Sequence, residues 1–164
     1  MKNKNIIFIP ILAVVIMLSS IIKLPSIFPG AEFQMSAPIS VLIAMLFGAK
    51  IYITAGVLAS FLSFTLSISN VYGIVVALVF RIGVIVFIML VKNKNLCLIF
   101  SGAFGSLLSR IVLSKIVGVS FISLLLPAIP GMIMTGIISK ILYDRLYEIL
   151  KKYISVEGLV WNIV

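Results

Sequence analysis

The stretch VYGIVVALVFRIGVIVFIMLV, Val71 to Val91, decides the fold. It is apolar throughout except for one charge near its middle, Arg81. A helix needs about 20 mainly apolar residues to cross the hydrocarbon core of a bilayer. Inside that core every backbone polar group must be bonded within the segment, which selects helix. The segment therefore reads as a membrane span.

The same pattern repeats outward. Toward the C-terminus, Lys92-Asn93-Lys94-Asn95 is a basic turn, a span covers 96–117, and Gly118-Val119-Ser120 breaks it. A last span over 121–142 continues as an amphipathic extension over 143–153. Toward the N-terminus, Ser69-Asn70 closes a span over 51–68. Gly48-Ala49-Lys50 is a tight basic turn, and a short span covers 37–47. Lys23 to Ser36, with two prolines, a glycine and Glu32, is a structured loop. The basic start, Met1 to Asn5, leads into an apolar run over 6–22. That run resembles a secretory signal but lacks a small-x-small cleavage site, and reads as the first span. The expectation is a single all-α integral membrane domain, 1–164, with six spans.

Composition agrees. Of 164 residues, 63% are hydrophobic and 10% charged, and the mean hydropathy is +1.35. A soluble domain is nearer half apolar and a quarter charged. Six spans leave only short loops and tails, so no sizeable soluble domain is expected.

The residue inventory excludes most catalysis. There is no histidine, one cysteine (Cys97), and four acids: Glu32, Asp144, Glu148 and Glu157. A Ser-His-Asp triad is impossible, as is a thiolate or imidazole zinc site. No disulfide forms within the chain. Carboxylates are not clustered for acid–base or metal work. No nucleotide-binding glycine loop ends in Lys-Ser/Thr. The chain reads as a non-enzyme with no cofactor of its own.

The net charge of +9 would point to nucleic acid in a soluble protein. Here it reads as a topology signal, and no nucleic-acid partner is expected. With the N-terminus inside, the inner segments hold Lys2, Lys4, Lys50, Lys92, Lys94, Lys140, Arg145, Lys151 and Lys152; the outer side holds Lys23 and Lys115. That bias predicts both termini in the cytoplasm.

Topology does not explain Arg81 and Arg110. An arginine in hydrocarbon costs at least roughly 2.5–3.5 kcal/mol on insertion scales unless it faces protein or a wet cavity. Gly73, Ala77 and Arg81 share one helical face, as do Gly102, Ser106, Arg110, Ser114 and Gly118. Small residues at that spacing mark close helix packing, so both arginines are expected to point inward. One reading makes them structural, bonding carbonyls or Glu32. The favoured reading makes them a ligand site, because spans 2–5 hold no acid to neutralise them.

Span 3 carries a seam of small residues, Ala55, Ala59, Ser63 and Ser67, with Gly56 and Ser60 beside it; packing within the chain is favoured for it. Span 6 has Pro127, Pro130 and Gly131 near its outer end, then Thr135 and Ser139. The end ILYDRLYEILKKYI reads as a solvated helix with Glu148 and Lys152 an i,i+4 pair. Phe28, Phe33, Tyr72 and Phe121 lie near the outer side, and Trp161 in the tail.

The stretch PGAEFQMSAPISVLIAMLFGAKIYITAGVLASFLSF, Pro29 to Phe64, resembles the substrate-binding S components of energy-coupling factor transporters. Size, six spans and cytoplasmic ends match along nearly the whole chain. The resemblance implies capture of a vitamin-like small molecule outside a bacterial plasma membrane. It implies docking on a transmembrane T component driven by two cytoplasmic ATPases, which use the ATP. It places the pocket mainly in spans 4–6, beneath the loop after span 1. On this chain the ligand roles would fall to Arg81, Arg110, Asn70 and Lys115, with the Glu32 loop as lid and the span 3 seam in the docking face. One departure concerns span 1, where an Ala-x-x-x-Ala pattern is common in that family but Ala13 is followed by Met17. The missing histidine argues against a metal substrate. Two alternatives stand beside it: a structural subunit resembling the cell-shape protein MreD, which lacks support from a Pro-Asp motif after span 1, and a free-standing carrier, which would normally use intramembrane acids.

Overall fold

The computed structural model describes residues 2–25 and 32–153. Phe28 and Trp161 lie outside them, as do the side chains of Glu32 and Lys152. The helices are α1 (Lys2–Ile21), α2 (Ser36–Thr65), α3 (Val71–Leu90), α4 (Lys94–Val117), α5 (Phe121–Leu125) and α6 (Ile129–Tyr153). A 3-10 turn, Leu126–Ala128, joins the last two. Between α1 and α2, β1 (Lys23–Pro25) and β2 (Glu32–Gln34) form a small antiparallel ribbon with Leu24 opposite Phe33. The all-α expectation thus acquires a ribbon where a loop was read.

Among the described residues four helices are long and apolar enough to cross a membrane: Ser36–Thr65, Val71–Leu90, Lys94–Val117 and Phe121–Ile149; Phe8–Ile21 is a shorter apolar helix. Large apolar side chains face outward along them, Phe61, Ile82 and Ile122 among them. Such faces are stable only with lipid as solvent, and this is a membrane protein.

The 30 residues of α2 are not straight. Gly48 leaves the helix at φ 82°, ψ 168°. A straight helix would separate Ser40 from Ser60 by about 30 Å, at 1.5 Å per residue, yet both line one cavity. The chain doubles back at Gly48, giving two arms, 36–47 and 49–65. Glycine takes that φ without a Cβ penalty. The break read over Gly48-Ala49-Lys50 is therefore one residue, and helix resumes at Ala49. The second arm stops at Thr65, short of the expected Ile68, where Ile68 N and Ser69 N both turn back to Ser63 O.

Caps set the other boundaries. Asn70 accepts from Gly73 N at 2.8 Å and starts α3. Asn93 accepts from Asn95 N at 3.0 Å and starts α4. Gly118, at φ 73°, ends α4 with its N–H on Ser114 O. The last span is interrupted near its outer end, where its prolines stand: Pro127 and Pro130 cannot donate to the helix ladder, and a 3-10 turn takes up the change.

Packing relies on close approach, since apolar burial drives little between helices in lipid. A Cβ on Gly136 of α6 would stand 2.5 Å from Ile99 O of α4. Ser139 of α6 donates to Pro38 O of α2 at 3.3 Å. On α1 it is Leu12, Ala13, Ile16 and Met17 that are buried, while Ile11 and Leu18 face out. At the Gly48 end, Lys94 Nζ stands 4.3 Å from the centre of the Tyr143 ring and 4.5 Å from that of Tyr147. Tyr143 is 1% exposed. The helix end read as solvated is therefore packed on one side, because its aromatic residues recur at i,i+4 and face α4.

Candidate functional site

The end of the bundle that carries the ribbon and the Ile68–Asn70 turn holds a cavity of about 680 Å³. That volume suits a small organic ligand. Its wall comes from α3, α4 and α6, from both arms of α2 and β2, and from Ile16 and Ser20 of α1. The doubling back at Gly48 is what brings Ser40 and Ser60 to one cavity.

Two cations look into this space. Arg81 of α3 is buried at 6% exposure. Its Nη1 donates to Ser60 Oγ at 2.7 Å. Its Nε is buried with no partner among the described residues. The side chain lies against Gly56, where an added Cβ would overlap Nε and Cδ. Arg110 of α4 is half-buried, and its Nε is likewise buried without a described partner. Among the described residues no acid lines the cavity.

The rest of the wall mixes hydroxyl and aromatic side chains with aliphatic ones such as Ile16, Ile74, Val76 and Leu113. Ser36, Ser40, Ser63, Ser106 and Ser109 contribute, together with Phe33, Tyr72 and Phe80. Ser109 donates to Ser106 O at 2.8 Å and Thr135 to Gly131 O at 2.7 Å, so these hydroxyls satisfy themselves locally. Phe33 is 8% exposed and sits against Gly131 of α6, which ties the ribbon to the cavity rim. Chemically, one buried and one half-buried cation, without counter-charge among the described side chains, suit an anion. A carboxylate would accept charge-assisted hydrogen bonds here.

Over 144 residues the chain is 37% identical to Protein BioX of Lysinibacillus sphaericus, covering 88% of this chain and 87% of that one. The chain belongs to the BioX family. No family model matches it, and no solved structure matches.

In this BioX-family chain the residues singled out by sequence divide. Arg81, Arg110 and Asn70 all line the cavity, as do Gly73 and Ala77 on the Arg81 face of α3. Asn70 has its side-chain oxygen engaged as the α3 cap. Lys115 does not join them: it is exposed in the last turn of α4 and does not line the cavity. There its charge favours the helix C-terminus. Ser114, Gly118 and Phe121 also lie off the wall, and Gly102 packs on Thr135. Glu32 lies in β2 opposite Pro25.

The seam of the second α2 arm packs within the chain, as its residues favoured: Ala55, Gly56, Ala59, Ser60 and Ser63 are buried, with Ser60 on Arg81. Ser67 is exposed in the turn. Ser40, Phe80 and Ser109 were missed. Ser106 and Ser109 at i,i+3 were the available signal, but which serine faces a void depends on how neighbouring helices are rotated.

Proposed function

We propose that this BioX-family protein captures an anionic, vitamin-like small molecule for uptake, as the S component of an energy-coupling factor importer. The observation that carries the reading is a buried arginine, Arg81, and a half-buried one, Arg110, on a cavity wall where no acid stands among the described side chains. The name of the BioX relative makes biotin, a monocarboxylate with a neutral cyclic urea, the first compound to test. Arg110 and Arg81 would hold the carboxylate, and the serines the urea.

The importer reading extends to topology and partners. The chain is a single membrane domain crossing a bacterial plasma membrane six times. The two arms of α2 count as separate passes, and both ends are cytoplasmic. The distribution of lysines and arginines supports that orientation, and it turns the cavity outward. Neither a nucleotide loop nor an acid in spans 2–5 offers an energy source. A transmembrane T component and two ATPase subunits would supply it, and the chain itself is neither enzyme nor cofactor protein. A purely structural subunit would leave the cavity and its cations without a use.

The test is to purify the protein, identify co-purified small molecules by mass spectrometry, and titrate biotin by calorimetry. Recovery of biotin or a related carboxylate, with saturable binding, is expected. A protein that carries no anion and binds none in a panel of vitamins would overturn the reading.

A further inference from the structure

We infer that Gly56 and Ser60, one helical turn apart on the second arm of α2, are positioning residues that aim Arg81 into the cavity. This rests on the anion-capture reading above and deepens it.

Arg81 has a long, flexible side chain anchored on α3. Left alone, it would spread over many rotamers and present its charge without a fixed direction. Two features of α2 remove that freedom. Gly56 has no side chain, so the arginine stem and Nε lie flat on the helix in space that a Cβ would occupy. One turn further along, Ser60 takes the Nη1 hydrogen at 2.7 Å. Ser60 is 7% exposed and Arg81 6%, so the bond is shielded from competing water. The hydroxyl is neutral, and this decides its role. An acid at position 60 would cancel the charge, whereas a serine orients the guanidinium and leaves its cation for a ligand. Arg110 has no described counterpart of this cradle. Arg81 is therefore the preorganised member of the pair, and the small residues 56 and 60, which in sequence read as a packing seam, belong to ligand recognition.

The experiment uses the full chain in detergent with two probes, biotin and its neutral amide biotinamide. Ser60→Ala should weaken biotin binding roughly tenfold, as expected for loss of a bond that orients a charge, while changing biotinamide binding little. Ser60→Thr, which keeps the hydroxyl, should retain most of the affinity. Gly56→Ala should weaken biotin similarly although alanine favours helix, so melting temperature holds or rises as affinity falls. In an Arg81→Gln background, Ser60→Ala should add nothing further. Full affinity in both Ser60→Ala and Gly56→Ala, while Arg81→Gln binds weakly, would overturn the cradle and leave the capture reading standing. Equal losses for biotin and biotinamide, or a further loss in the Arg81→Gln background, would make Ser60 a direct ligand contact and also overturn it. If the wild-type chain binds neither probe nor any other anion, the capture reading fails and the cradle with it.

Discussion

Gly83 of α3 and Gly105 of α4 meet backbone to backbone: a Cβ on Gly83 would stand 2.7 Å from the Gly105 Cα, and one on Gly105 would stand 2.6 Å from Phe80 O. This crossing holds α3 and α4 at the spacing that puts Arg81 and Arg110 on one wall. The colliding atoms are backbone, which cannot rotate away. Gly105→Ala should therefore destabilise the protein by about 1–3 kcal/mol, the range for overpacking, and Gly105→Val by more. Thermal unfolding in detergent measures it. Gly118→Ala is the contrast: nothing stands within 4 Å, so only the strain of φ 73° remains. Equal melting temperatures for wild type and Gly105→Val would refute the close crossing.

Arg110 offers the second prediction. Its Nε is buried and has no partner among the described residues. Arg110→Gln should fold normally and bind a carboxylate ligand about tenfold or more weakly, from loss of a charge-assisted bond worth roughly 1.5–3 kcal/mol. Arg110→Lys should restore only part, since lysine lacks the planar fork. If melting temperature falls without ligand while the surviving protein keeps its affinity, Arg110 is a structural arginine.

Lys115 should behave differently. It is exposed and off the cavity wall. Lys115→Gln should leave ligand affinity unchanged within about twofold and cost no more than about 1 kcal/mol through the helix terminus. A tenfold affinity loss would return it to the site.

At the opposite end, Lys94 over Tyr143 and Tyr147 joins α4 to α6. Lys94→Met keeps the stem and removes the charge. It should cost about 0.5–2 kcal/mol, the range for a cation on an aromatic face, and Lys94→Arg should cost less. Thermal unfolding of the three proteins decides it; identical curves for wild type and Lys94→Met would mean that the contact contributes nothing.

Orientation has its own test. In a Cys97→Ser background, single cysteines at positions 70 and 93 should react with an impermeant maleimide from opposite sides, 70 from outside and 93 from inside. The reverse pattern would invert the proposed topology and turn the cavity to the cytoplasm.

Much of this was legible along the chain. Length and continuity of the apolar runs determined that the protein lives in a membrane as packed helices, because hydrocarbon tolerates no unpaired backbone. Glycine, proline and asparagine marked the breaks at Gly48, Asn70, Asn93 and Gly118, because those residues act on the backbone of their immediate neighbours. The burial of Arg81 and its i−4 face were also legible, since helical spacing is a local property. What only the tertiary structure decided is which side chains converge. Ser60 lies 21 positions before Arg81, and they meet because α2 folds back at Gly48 and α3 rotates its arginine toward the second arm. Lys115 and Ser106 stand on the same helix as Arg110, yet one faces out and the other into the cavity. A list of residues carries no helix rotation or depth; those are set by glycine contacts such as Gly83 on Gly105, where two backbones approach as closely as their atoms allow.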